Sequence, residues 1–366
     1  MKILILSDIP APYRVAVFKG LSELCDATVF FNSSKNDSRN DKFYVSAENS
    51  FRFHILNNEK SIALYEDCIR HIKDFDVVLC YDAWHKRTRA LARLCMKRHI
   101  PYVLNADGAL GINMSFLKRV VKTFYTKRAA LCLCGCKRAA EYFSAYGAKK
   151  HQLVMHPFTS VSKDKIIPAP MTDEQKADIR ASLGMENIPT FISVGQFIHR
   201  KGFDILLRAW AKTSQSAQLY IIGGGPLDAD YKQYIVQNDL KNVHIVDFMV
   251  PEELEKYYLA SDVYLMPTRE DIWGLVINEA MAYALPIITS TNCTAGNELV
   301  KEGENGFLYP FEDETLLASH IERLANDPVL RAEFAKKALA VAEHQTLENI
   351  VSSHWEALQG LVKDKK

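Results

Sequence analysis

No stretch of this 366-residue chain approaches the ~18–20 consecutive apolar residues that a membrane-crossing helix needs. The apolar run at residues 3–6 is too short for the core of a signal peptide, and Asp8 follows at once. The eight cysteines show no CxxC spacing with a partner histidine, so no metal site is expected. Cys132, Cys134 and Cys136 alternate, which puts the first two on one face of a strand. Buried, reduced thiols of a cytoplasmic protein are the plain expectation. Charged residues (24%) and aromatics (10%) are at ordinary levels, which excludes a disordered chain, a collagen-like fibre and a small disulfide scaffold.

What is present is a chain with 48% hydrophobic residues, long enough for two packed domains. Its net charge of +1 hides a strong asymmetry. Residues 1–165 carry 27 Lys and Arg against 15 Asp and Glu, a net of +12, and the remainder carries −11. One half therefore suits an anionic partner, either nucleic acid or an anionic membrane surface.

Short apolar runs at 3–6, 27–31, 77–80, 102–104, 131–134 and 153–155 alternate with stretches of helical spacing at 14–24, 88–98 and 137–146. That alternation predicts a doubly wound parallel sheet. A linker is expected at 156–170, which contains Pro157, Pro168 and Pro170. The pattern restarts with strands at 191–194, 219–222, 243–246, 263–266 and 287–289. The expected organisation is α/β with two Rossmann-like domains, 1–165 and 171–345, facing across a cleft that would hold a ligand. Asp327-Pro328 reads as a helix start. In the final segment, 346–366, Val351, Trp355, Leu358 and Val362 form one stripe suited to packing back on the first domain.

Three strand-to-loop segments carry the chemistry. In Arg269-Glu270-Asp271-Ile272-Trp273-Gly274-Leu275, running on to Glu279, two carboxylates flank a glycine-containing loop ahead of an apolar helix. Amides of Gly274 and Leu275 suit a phosphate there, and Asp271 and Glu279 suit sugar hydroxyls. The alternative is an ordinary helix start with acidic residues against its dipole. In Gly195-Gln196-Phe197-Ile198-His199-Arg200-Lys201-Gly202, two adjacent cations follow a strand, suited to a diphosphate leaving group or to plain solvation. Gly223-Gly224-Gly225 ends a third strand, and Asp228 stands where a dinucleotide fingerprint requires glycine, which argues against hydride transfer.

In order and spacing, these segments resemble the carboxyl-terminal half of glycosyltransferase family 4, a retaining family with the GT-B fold. The resemblance spans residues 191–309 and includes Asn305-Gly306-Phe307-Leu308, similar to that family's NGxL hairpin. Asp271 to Glu279 matches its E-x7-E motif, with Asp in place of the first Glu. The resemblance implies that Glu279 binds the ribose hydroxyls, that Asp271 binds the donor sugar, and that Trp273, Gly274 and Leu275 lie along the diphosphate. It implies that Lys201 assists the leaving group. Gln196 stands where the family usually has arginine, with Arg200 a candidate to compensate. Gly223, Gly224, Phe248 and Met249 fall where such proteins hold the nucleotide.

The amino-terminal half resembles the family more loosely, through residues 7–14, whose Pro12 and Tyr13 would lie under the donor phosphates. Asp107, in Asn105-Ala106-Asp107-Gly108, is a candidate acceptor-side base or a simple Asp-Gly turn. Residues 116–128 read as a basic amphipathic helix, with Leu117, Val121 and Phe124 on one face and Lys118, Arg119 and Lys122 on another. An anionic membrane surface and core packing with a solvated charged face are the two readings. Lys86, Arg87, Arg89, Arg93, Lys97 and Arg98 form a second basic cluster, and no nucleic-acid-binding signature accompanies either.

The expected protein is thus a retaining glycosyltransferase at the cytoplasmic face of a membrane. It would move a hexose-type sugar from a UDP- or GDP-sugar to a glycan, lipid-linked by preference, in cell-surface polysaccharide assembly. No metal or other cofactor is expected. The rivals are a GT-B sugar-nucleotide epimerase and a non-catalytic nucleotide-sugar-binding protein.

Overall fold

The computed structural model describes residues 1–34, 51–81, 85–108, 115–214 and 216–363. It consists of two compact units. Unit 1 comprises Met1–Ser160 and Thr346–Lys366, and unit 2 comprises Val161–Gln345.

Unit 1 is built on strands β1 (Lys2–Ser7), β2 (Asp26–Phe31), β3 (His54–Ile55), β4 (Val77–Cys80), β5 (Tyr102–Ala106), β6 (Leu131–Cys134) and β7 (Leu153–Met155). They pair in the order β3-β2-β1-β4-β5-β6-β7, every neighbour parallel. Parallel neighbours require crossover helices that cover the sheet faces, so the strands read as continuous apolar runs. Ile3, Leu4, Ile5 and Leu6 are accordingly all fully buried. The first helix, Pro12–Leu24, starts with proline at its opening position, where a missing N–H costs nothing.

The last helix, Leu347–Lys363, belongs to unit 1. Ile350 and Leu358 join Ile3, Val17, Phe18 and Leu21 in one core, with Val351, Trp355 and Val362 packed against it. Gly20 permits the close approach of helix to helix: a Cβ there would lie 2.7 Å from Val351 Cγ2. The thiols of Cys132 and Cys134 are buried in β6, and burial pushes Cys134 up to about 12.

Unit 2 repeats the architecture with β8 (Thr190–Gln196), β9 (Gln218–Gly224), β10 (Val243–Asp247), β11 (Val263–Met266), β12 (Ile287–Ser290) and β13 (Gly306–Tyr309). Their order is β10-β9-β8-β11-β12-β13, again all parallel. The direction of winding reverses between β8 and β11, and such a switch point opens a crevice at the carboxyl ends of the strands.

Two expectations change. Residues 161–165 belong to unit 2 rather than to the first domain. The chain is anchored there because Ile167 N–H bonds Ala282 C=O at 3.1 Å, and Ile166 and Ile167 pack on Ala284, Ala335 and Leu339. The Asn305-Gly306 segment forms no hairpin. Asn305 is buried and accepts from Lys301 N–H at 2.7 Å, and Gly306 begins a parallel edge strand. A Cβ on Gly306 would meet Ile287 C=O at 2.1 Å, so only glycine lets that strand approach β12.

Candidate active site

The candidate residues of unit 2 gather at the carboxyl edge of its sheet. Register places Gly195 opposite Gly223, Gln196 opposite Gly224, and Gly223 opposite Asp247, so the ends of β8, β9 and β10 form one row. Gly223 is needed in that row, since a Cβ there would lie 1.9 Å from Gly195 C=O. Phe248 and Met249 follow directly after β10, and Phe248 is exposed.

The loop after β8 is knitted to the loop after β11. Gly202 sits at φ +71°, a left-handed conformation, and a Cβ on it would lie 2.0 Å from Pro267 C=O. Arg200 C=O accepts from Arg269 N–H at 2.9 Å and from Thr268 Oγ1 at 3.0 Å. Arg269 also donates to His199 C=O and, through two nitrogens, to both oxygens of Asp204, each at 2.7 Å. Burial works to raise the Asp204 carboxyl, but the hydrogen bonds and charges of Arg269 and Arg208 prevail and hold it below the usual carboxylate range. Sequence reasoning missed Arg269 and Asp204. They lie 65 positions apart, so no local pattern pairs them.

That lattice brings the predicted residues together. Lys201 Nζ lies 2.6 Å from Asp271 Oδ2, and Arg200 Nη1 lies 3.5 Å from the same oxygen. Lys201 and Asp271 are largely buried, at 16% and 13% side-chain exposure, so the pair is poorly screened by solvent. Asp271 Oδ1 accepts from Trp273 N–H at 3.3 Å, and Arg200 also donates to Glu270 C=O at 2.8 Å.

Gly274, at φ +103°, then caps the helix Leu275–Ala282. A Cβ on it would press on Cys293 Sγ and Met266 Cε at 3.0 Å. The helix start carries no side-chain cap and no acidic residue in its first turn. The first turn thus has no acid against its dipole, and the nearest carboxylate, Asp271, meets the entering loop at Trp273 N–H. What remains is a set of backbone N–H groups suited to an anion. Trp273 is buried and donates from its ring nitrogen to Asn278 Oδ1 at 2.8 Å, which orients the loop. Glu279, farther along the helix, accepts from Tyr258 OH at 3.5 Å. Burial and the charge of Glu279 push the Tyr258 phenol well above its ordinary value, which keeps it a donor.

In unit 1, Asp107 follows β5 but is not poised as a base. Its Oδ2 accepts from Arg14 Nη2 at 2.8 Å and from Tyr13 OH at 3.3 Å, and its Oδ1 from Asn105 Nδ2 at 2.6 Å. Burial works to raise this carboxyl, yet the Arg14 charge and the hydrogen bonds win and hold it below the usual range. A carboxylate so satisfied is a weak proton acceptor. Its place in the structure is as counter-ion to Arg14, which also donates to Ser7 Oγ at 2.7 Å. Pro12 begins the helix that carries Tyr13 and Arg14.

The helix Phe116–Thr126 departs from the expected pattern at Lys122, while Lys118 and Arg119 are exposed as expected. Phe116 (79% exposed), Leu117 (75%), Val120 (50%), Val121 and Phe124 face outward, while Lys122 is buried. Lys122 Nζ donates to Tyr142 OH and lies 4.8 and 5.2 Å from the ring centres of Tyr142 and Tyr146. Burial, with Lys118 adding to it, pushes Lys122 down to about 8. The aromatic cradle explains why this cation sits inside rather than on the charged face.

Two doubly wound, all-parallel Rossmann-like units define the GT-B fold class. Residues 175–341 match the family described as "Glycosyl transferases group 1". A solved structure of Anabaena HepE in complex with UDP superimposes with a TM-score of 0.80 at 18% identity, covering 98% of this chain and all of that one. An uncharacterised glycosyltransferase of Haemophilus influenzae is 31% identical over 174 residues, 46% of this chain and 48% of the relative. LpsE of Rhizobium meliloti, a lipopolysaccharide core biosynthesis glycosyltransferase, is 27% identical over 61% of this chain and 60% of its own length. The chain spans roughly half the length of the curated relatives it matches.

Proposed function

We propose that this chain is a retaining glycosyltransferase of family 4 that uses a UDP- or GDP-hexose and glycosylates a lipid-linked glycan in cell-surface polysaccharide assembly. The observation that carries the reading is the meeting of Lys201, Arg200 and Asp271 beside the uncapped helix start at Gly274, within the segment that matches the glycosyl transferase family. Glu279 would take the ribose hydroxyls, Asp271 the sugar hydroxyls, and the Gly274 and Leu275 amides the diphosphate. Gln196, Gly223, Gly224, Phe248 and Met249 would line the nucleotide, and unit 1 would bind the acceptor. In the reaction the bond from the anomeric carbon to the β-phosphate oxygen breaks, and its electron pair goes to that oxygen. Lys201 and Arg200 stabilise the charge that develops there. The acceptor hydroxyl forms the new bond on the same face, and its proton passes to the departing phosphate. Such a mechanism needs no metal from the protein, and none of it asks Asp107 to accept a proton.

Release of nucleoside diphosphate from a panel of UDP- and GDP-sugars, with and without an extract of lipid-linked acceptors, tests the reading. Release is expected from one donor only, to require the extract, and to vanish in Glu279→Ala. Donor conversion without acceptor would favour an epimerase, and silence across the panel a binding protein.

The outward face of the helix Phe116–Thr126 would dock on an anionic membrane. Phe116, Leu117 and Val120 insert, and Lys118, Arg119, Lys127 and Arg128 meet lipid phosphates. Each large apolar side chain buried contributes about 1.5–3 kcal/mol. The double variant Phe116→Asp/Leu117→Asp is therefore expected to lower partitioning onto phosphatidylglycerol vesicles at least tenfold in flotation assays. Unchanged flotation would remove this face from the membrane contact.

A further inference from the structure

The carboxylate expected to hold the donor sugar is already spoken for. Both oxygens of Asp271 are engaged, one by Lys201 and Arg200 and the other by Trp273 N–H. The cations that would hold the diphosphate are thus paired with a carboxylate of the same site. The pair joins loops 70 positions apart, and the Arg269 and Gly202 contacts hold those loops at fixed spacing, so Asp271 and an incoming diphosphate compete for the same two side chains.

Resting on the glycosyltransferase reading, we propose that Asp271 is an internal counter-ion that sets the site against the bare nucleoside diphosphate and so drives product release. A donor brings two things: a diphosphate for Lys201 and Arg200, and sugar hydroxyls that donate to the Asp271 carboxylate. The negative charge of Asp271 is then satisfied by the sugar while the cations turn to the phosphates. After transfer the sugar is gone. Asp271 loses its hydroxyl donors, competes with the product's phosphates for the two cations, and recaptures Lys201. Repulsion and recapture act in the same direction, and they act more strongly on the product than on the donor, whose hydroxyls offset part of the repulsion. Asp271 therefore discriminates between two ligands that share the same nucleotide and diphosphate.

The inference yields an outcome opposite to that for an ordinary binding residue. Asp271→Asn keeps the shape and the Trp273 contact but removes the charge. It is expected to bind UDP or GDP, whichever the wild type binds, about tenfold more tightly. Asp271→Glu, which restores the charge, is expected to return to the wild-type affinity, and Lys201→Met to bind more weakly than wild type. Isothermal titration calorimetry with UDP and with GDP on all four proteins reads these differences, with circular dichroism melts as the check on folding. Equal or weaker binding by a folded Asp271→Asn overturns the counter-ion role, as does equal tightening by Asp271→Glu. Failure of the folded wild type to bind either nucleotide overturns the glycosyltransferase reading itself, and this inference with it. In turnover, a rate-limiting product release that becomes slower in Asp271→Asn is the kinetic counterpart, seen as a burst of nucleoside diphosphate followed by a slow phase.

Discussion

Replacing Asp262 by asparagine is expected to lower the stability of unit 2 by about 3–5 kcal/mol, the usual cost of breaking a buried ion pair from one side. Asp262 is buried just before β11. Its Oδ1 accepts from Lys176 Nζ at 2.7 Å, and its Oδ2 accepts from Arg180 Nη2 at 2.5 Å and from Thr190 N–H at 2.8 Å. Arg180 extends the network to Ala260 C=O at 2.9 Å and Asn187 Oδ1 at 3.2 Å. The carboxylate thereby ties the helix Asp173–Ser182 to the amino ends of β8 and β11. Asparagine still accepts one hydrogen bond but leaves Arg180, whose side chain is 7% exposed, with no counter-charge.

The sign of the pH dependence follows. Burial works to raise the Asp262 carboxyl, but Lys176 and Arg180 outweigh it and hold it below its ordinary value. A carboxyl depressed in the folded state contributes stability that is full above the unfolded value, about 3.9, and fades as pH falls toward the folded value. Urea unfolding of wild type and Asp262→Asn should therefore differ most near pH 7, with the gap narrowing below about pH 4. A gap independent of pH would show that the charge is not what stabilises this corner. The network lies at the end of the sheet opposite to the candidate site, so nucleotide binding by the folded variant should be unchanged.

Lys201→Ala is expected to reduce kcat about 10²–10³-fold, the loss typical of removing one preorganised donor from a developing oxyanion. The reasoning rests on where charge appears. In the proposed reaction the donor diphosphate is anionic at the outset, but the bridging oxygen would gain its charge only as the sugar departs, so a cation placed there would contribute more to the transition state than to the ground state. The alanine variant also leaves Asp271 without its 2.6 Å partner, and repulsion of the donor should raise KM. Lys201→Ala/Asp271→Asn separates the two effects: KM should fall back toward wild type while kcat stays low. A Lys201→Ala enzyme with wild-type kcat would falsify its role in leaving-group departure.

Much of this molecule is legible along the chain because parallel strands are continuous apolar runs and the helices between them keep a helical period. The strands at 3–6 and 263–266, the helix start at Pro328 and the stripe Val351, Trp355, Leu358 and Val362 are all local patterns, and the structure carries each of them. The spacing from Asp271 to Glu279 is equally local, since both residues lie on one loop and the helix it enters. Other features are contacts between distant positions. Lys201 meets Asp271 because β8 lies beside β11 in the sheet, an order that no stretch of sequence records. Arg14 meets Asp107 across 93 residues, and that contact converts a candidate base into a counter-ion. Lys122 turns inward because Tyr142, on the helix after β6, and Tyr146, just past that helix's end, supply the rings that receive it. Residue types and short-range spacing determined the elements and the chemistry on offer. Tertiary structure decided which charges neutralise one another, because a charge's effect depends on what the fold places within a few ångströms of it rather than on its neighbours in the chain.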